Sequence, residues 1–66
     1  MRIANFTKPE LDFFRENCNF VGVEREVFEM RSQDIPLEEI AEKVNMSVDG
    51  VKKVSRRVVK KIIKVI

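Results

Sequence analysis

The stretch from Asp34 to Ile66, DIPLEEIAEKVNMSVDGVKKVSRRVVKKIIKVI, decides the fold. Leu37, Ile40, Ala41 and Val44 follow the i, i+3, i+4, i+7 spacing of a helix with one buried face. Ala41 puts a small side chain on that face, which lets another helix cross closely. Asn45 follows, a residue that tolerates the left-handed backbone region in which helices end. Met46 can fill the corner, and Ser47 caps a further helix whose first turn carries Asp49, where an acid suits the dipole. In that last helix Val51, Val54, Val58, Ile62 and Val65 fall on one stripe. Lys53, Arg56, Arg57, Lys60 and Lys64 fall on the opposite face, and Val59 and Ile63 lie beside the stripe.

Upstream, the same periodicity predicts two more helices. Met1 to Phe6 reads as a short lead-in. Thr7 with Glu10 three residues on forms a capping box, and Pro9 sits in the first turn, where its missing N–H costs nothing. Leu11, Phe14 and Cys18 give the inner face, Phe13 widens it, and Phe6 is placed to pack as a staple. After a turn at Asn17 to Gly22, Val23, Val27 and Met30 share one face with Phe28 beside them, while Glu24, Arg25, Glu26, Glu29 and Arg31 cover the other side. Gln33 to Pro36 is a second turn. All five phenylalanines are expected in the core. Two glycines, two prolines and no period-two alternation argue against strands. The expectation is one all-α domain over residues 1–66, with four helices at about 7–17, 23–32, 37–44 and 47–65.

Sixty-six residues bury only about 60% of the unfolded surface, so stability is marginal. There is no histidine and a single cysteine, Cys18, so neither a Cys/His metal site nor an internal disulfide is expected. Cys18 reads as a small buried hydrophobe. No nucleophile–base pair or phosphate loop is present, and no enzyme, cofactor or metal is expected. Apolar runs are mostly two residues long, far from the ~20 that span a bilayer. One thiol and no signal peptide point to the cytoplasm. Four short helices are expected to leave little room for an effector pocket of ~300 Å³ or more.

The net charge of +2 is unevenly spread. Residues 1–33 carry five cations and six anions; residues 34–66 carry eight and five, and after Gly50 there are seven cations and no anion. That asymmetry suits a polyanion; the alternative is a solvated face at a helix C-terminus, where lysines are favoured anyway. Two helices joined by a tight turn, the second one basic, match a helix-turn-helix over about residues 36–62 that lays its second helix in the DNA major groove. Ser47, Val48, Asp49, Lys52, Lys53 and Arg56 are then the groove-facing positions. Lysine and arginine reach phosphates or guanine O6/N7, and Val48 could meet a thymine methyl. Asp49 could accept from cytosine, but its cap role is preferred because negative charge near phosphate is costly. Arg57, Lys60, Lys61 and Lys64 are either phosphate contacts or solvated cations. Gly50 costs roughly 1 kcal/mol of helix propensity against alanine, tolerable where a side chain would strike a neighbouring helix or the DNA backbone. Glu38 and Glu39 sit in a helix first turn, where acids are stabilising.

Residues Glu24-Arg25-Glu26-Val27-Phe28-Glu29-Met30-Arg31, followed by Leu37-Glu38-Glu39-Ile40-Ala41-Glu42-Lys43-Val44-Asn45-Met46-Ser47, resemble region 4 of bacterial sigma factors and the related DNA-binding domain of LuxR-type regulators. Val51, Lys52, Val58, Lys61 and Ile62 fit the LuxR-type pattern of the last helix. The resemblance spans about residues 7–62. Pro36 stands where those families place a Ser or Thr cap, and Asn45 where they place glycine. Val48, Asp49 and Gly50 replace the arginine- or glutamate-rich start with which sigma factors read the −35 element. The other sigma domains are missing, so a complete promoter-melting factor is not expected.

The expected function is sequence-specific binding of double-stranded DNA by a small bacterial, phage or mobile-element transcription regulator. The resemblance implies association through the last helix, with Val59, Ile63 and Ile66 as the homodimer surface. The alternative is a protein-interaction module that binds RNA polymerase or another regulator, as sigma region 4 also does. A third reading is a structural dimerisation domain with incidental basic charge.

Overall fold

Thr7 stops the lead-in and starts the first helix by a reciprocal cap. Its Oγ1 accepts from the Glu10 N–H at 3.4 Å, and Glu10 Oε1 accepts from the Thr7 N–H at 2.8 Å. The computed structural model describes Met1 to Ile66. It has a 3-10 turn at Ile3–Asn5, then α1 (Lys8–Asn17), α2 (Val23–Ser32), α3 (Leu37–Val44) and α4 (Val48–Val65), with no strand. The four helices lie where the sequence places them, with Thr7 and Ser47 as caps outside α1 and α4.

Gly22 precedes α2 at φ +54°, ψ −127°, a conformation open to glycine and strained for any L side chain. Space does not select it, since a Cβ there would meet nothing within 4 Å. Both α2 and α3 end on a Schellman motif. Asn45 sits at φ +57°, with its N–H on Glu42 O at 3.3 Å and the Met46 N–H on Ala41 O at 2.9 Å. Asp34 sits at φ +60°, with its N–H on Arg31 O at 3.0 Å and the Ile35 N–H on Met30 O at 3.1 Å. The next residue in each case, Ile35 or Met46, turns back against the core, the hydrophobic contact that goes with this stop.

α4 is the spine of the core and packs chiefly against α2 and α3. Val51, Val54, Val58 and Ile62 are buried against Val27, Phe28, Ile40 and Ala41. Phe20 and Phe28 stack at 4.7 Å between centroids, and Phe6 meets Phe14 edge-on at 4.8 Å. Phe6 thus staples the chain onto α1. Arg15 ties α1 to α2 with a two-pronged pair to Glu29, at 2.7 and 2.8 Å.

Two expectations need correction, and the lead-in does more than its length suggests. The lead-in is part of the core: Ile3 is only 3% exposed and the 3-10 turn packs on α2, helped by an Arg2–Asp34 ion pair at 2.7 Å. Phe13 is not core; it is 46% exposed, because the α1 face that packs on the domain is centred on Phe14 and Cys18. Glu24 is not on the outer side of α2; it is 5% exposed and faces α4.

Candidate nucleic-acid interface

α4 begins at a turn of Asn45, Met46 and Ser47. Ser47 Oγ accepts from the Gly50 N–H at 3.0 Å, and Ser47 O accepts from the Val51 N–H at 3.0 Å. A Cβ at Gly50 would lie 3.1 Å from Met46 Cε and 3.2 Å from Ser47 Oγ, so the Met46 tip and the cap would have to give way for any larger residue. The nearest atoms belong to the turn itself and not to a neighbouring helix. Ser47→Ala removes the cap and is expected to lower stability by about 1 kcal/mol, read from the urea midpoint at unchanged slope.

The structure gathers the expected basic residues on the solvent side of α4. Lys52, Lys53, Arg56 and Lys60 are exposed, and none has an acidic partner within ion-pair distance. Lys53, Arg56 and Lys60 run at i, i+3 and i+7, opposite the Val51–Ile62 stripe. They span roughly 10 Å at 1.5 Å per residue. Ser47 and Asp49 are exposed at the start of the helix. Val48 is half-buried and packs against the core, so less of it is free than the sequence suggested.

The remaining cations divide differently from the expectation. Lys61 donates from Nζ to Glu24 Oε1 and, at 2.6 Å, to the Asn19 carbonyl. Arg57 is 60% exposed, with Nε 3.5 Å from Glu24 Oε2. Lys64 is exposed and unpaired. Glu24 also accepts from the Val21 N–H at 3.2 Å, so this carboxylate closes the α1–α2 turn onto α4. A sequence signal for it exists: Glu24 stands three and four residues before Val27 and Phe28, within the apolar face of α2.

The Lys61 hydrogen bond holds the Glu24 carboxyl below its ordinary value despite burial, with the Val21 N–H and Arg57 adding to the effect. The Arg15 hydrogen bond does the same for Glu29. Because these folded values lie below the unfolded one of about 4.3, the unfolded chain binds more protons in mild acid. Their stabilisation is complete above that value and fades as pH falls through the folded values. The denaturation midpoint is therefore expected to drop below about pH 5, and more gently in Glu24→Gln. Burial pushes the Cys18 thiol up, against the charge of Lys61, and its Sγ lies 3.6 Å from the Lys61 carbonyl.

Comparison with protein-family models, curated proteins and solved structures returns no match. The role of this face therefore rests on its chemistry.

A second surface lies at the far end of α4. Ile63 and Ile66 are exposed and Val59 is half-buried beside them. Ile66 joins Phe6, Pro9, Glu10, Phe13 and Phe14 around an open groove of about 360 Å³. It is an open groove on the surface rather than an enclosed pocket. The α1 share of the groove, above all the exposed Phe13, was not foreseen, because it arises where the C-terminus of α4 passes α1.

No helix is long and apolar enough to cross a membrane.

Proposed function

We propose that this chain binds double-stranded DNA sequence-specifically as a helix-turn-helix domain, in a small bacterial, phage or mobile-element transcription regulator. α3 and the Asn45–Ser47 turn are the support, and α4 is the helix that enters the major groove. What carries the reading is the set of exposed, unpaired cations Lys52, Lys53, Arg56 and Lys60 on one capped helix. An α-helix about 10–12 Å across fits a major groove about 12 Å wide. The role is binding rather than catalysis.

Four to five phosphate contacts make affinity fall roughly 150- to 500-fold between 50 and 200 mM salt. Fluorescence anisotropy against a random-sequence duplex pool, across a salt series and with selection, tests both parts. Steep salt dependence with enriched sequences is expected; no binding at ~50 mM salt overturns the proposal.

One domain of this size covers little DNA, so a homodimer on paired half-sites would strengthen binding. Ile63, Ile66 and the edge of Val59, continued by Phe13, form its contact. Sedimentation is expected to show a concentration-dependent dimer that Ile63→Glu abolishes; a parent that stays monomeric at millimolar concentration removes this step.

The same groove favours a second reading, a module that binds RNA polymerase or another regulator. Polymerase recovered from a bacterial lysate after nuclease treatment would support it, and recovery lost with nuclease would count against it.

A further inference from the structure

Glu24 is the one buried charged side chain of the domain, and it faces the helix that carries seven cations. It does not hold them equally. Lys61 is engaged on two sides, by the carboxylate and by the Asn19 carbonyl, and its side chain is largely covered. Pulling Lys61 away would leave a buried carboxylate short of its counter-charge, which a single water-exposed phosphate contact does not offset. Arg57 is held loosely: its Nε is beyond normal hydrogen-bond distance of Glu24, and most of the side chain is in water. It can leave while Lys61 keeps the carboxylate paired. Arg57 also borders the open face, four residues after Lys53 and three before Lys60.

We propose that Glu24 determines which cations of α4 are available to DNA, withdrawing Lys61 entirely and competing with phosphate for Arg57. This rests on the DNA-binding reading above. Glu24 is a positioning residue: it lies beneath the basic face and acts on DNA only through the two cations it holds. The contact set is then Lys52, Lys53, Arg56 and Lys60, with Arg57 joining only as far as Glu24 releases it. Such restraint limits the sequence-independent part of binding, which grows with every cation free to meet phosphate.

The readout is the slope of log K against log salt, which a merely structural role would not move. It is measured on a random duplex for the parent, Lys60→Ala, Glu24→Gln and the double variant Glu24→Gln/Lys61→Met, with folding checked by circular dichroism. Lys60→Ala is expected to make the slope shallower by about 0.9. Glu24→Gln keeps the shape and the hydrogen bonds but not the charge. It is expected to steepen the slope by up to about 0.9 and to raise random-duplex affinity roughly fivefold to tenfold near 100 mM salt. The double variant removes both charges of the pair, so no unpaired carboxylate pins Arg57, and it is expected to keep a slope at least as steep as the parent's. A double-variant slope as shallow as that of Lys60→Ala, or a folded Glu24→Gln with the parent slope, overturns the proposal. If Glu24→Gln does not fold, the double variant decides alone. A parent that binds no duplex sinks the DNA-binding reading itself, a result distinct from either of these.

Discussion

Phe28→Ala is expected to lower the melting temperature of the domain by more than about 10 °C. Phe28 is fully buried, stacked on Phe20 at 4.7 Å, and Arg15 sits over its ring at 5.8 Å. Truncating such a ring costs about 3–5 kcal/mol, from lost transfer free energy and the cavity left behind. A 66-residue domain has roughly 3–10 kcal/mol in total, at 0.05–0.15 per residue. One side chain therefore consumes a third or more of the stability, and at the low end all of it. Ile62→Val, also in the core, removes one methylene and costs only about 0.5–1.5 kcal/mol, so it should stay folded. Far-UV circular dichroism through a thermal melt separates the two. A cooperative Phe28→Ala melt within about 5 °C of the parent would mean the site collapses around the smaller side chain, since 1 kcal/mol moves Tm by about 4–8 °C at this size.

Replacing Lys52 and Lys53 together with alanine is expected to weaken DNA binding tenfold or more near 100 mM salt, and to make the salt slope shallower by about 2. Both side chains are exposed and unpaired, so the fold should lose no more than about 0.5 kcal/mol. That contrast gives the experiment its force: stability holds while affinity falls. Unchanged affinity at low salt would remove these lysines from the interface and α4 from the groove.

The helices were legible in the sequence because their boundaries are written in side-chain chemistry. Thr7 with Glu10, Ser47, and Asn45 each satisfy a specific backbone group at a helix end. The α4 stripe was equally plain, since eighteen residues give the period time to declare itself. Asp34 uses the same left-handed stop as Asn45 but is harder to read in a sequence, because aspartate in a turn has several other uses. Ile3 was missed because a single apolar residue in a three-residue turn has no periodicity to reveal its face.

The basic residues of the candidate site were legible as a set, but their division was not. Seven like charges on one helix look equivalent in a sequence. Only the packing of α2 against α4 shows that Lys61 and Arg57 answer to Glu24 while Lys52, Lys53, Arg56 and Lys60 do not. The groove was hidden for a related reason. Its walls come from opposite ends of the chain, so no local pattern announces it.

The buried Ile3 has a practical consequence for anyone trimming this domain. A start drawn at Thr7, where regular structure begins, would keep every long helix yet expose the α2 surface that the 3-10 turn covers. The same cut would discard Arg2, which bridges to Asp34, and Phe6, which leans on Phe14. The shortest faithful version thus begins no later than Arg2, and a fusion partner ahead of it needs a spacer that leaves Arg2 to Phe6 free to dock.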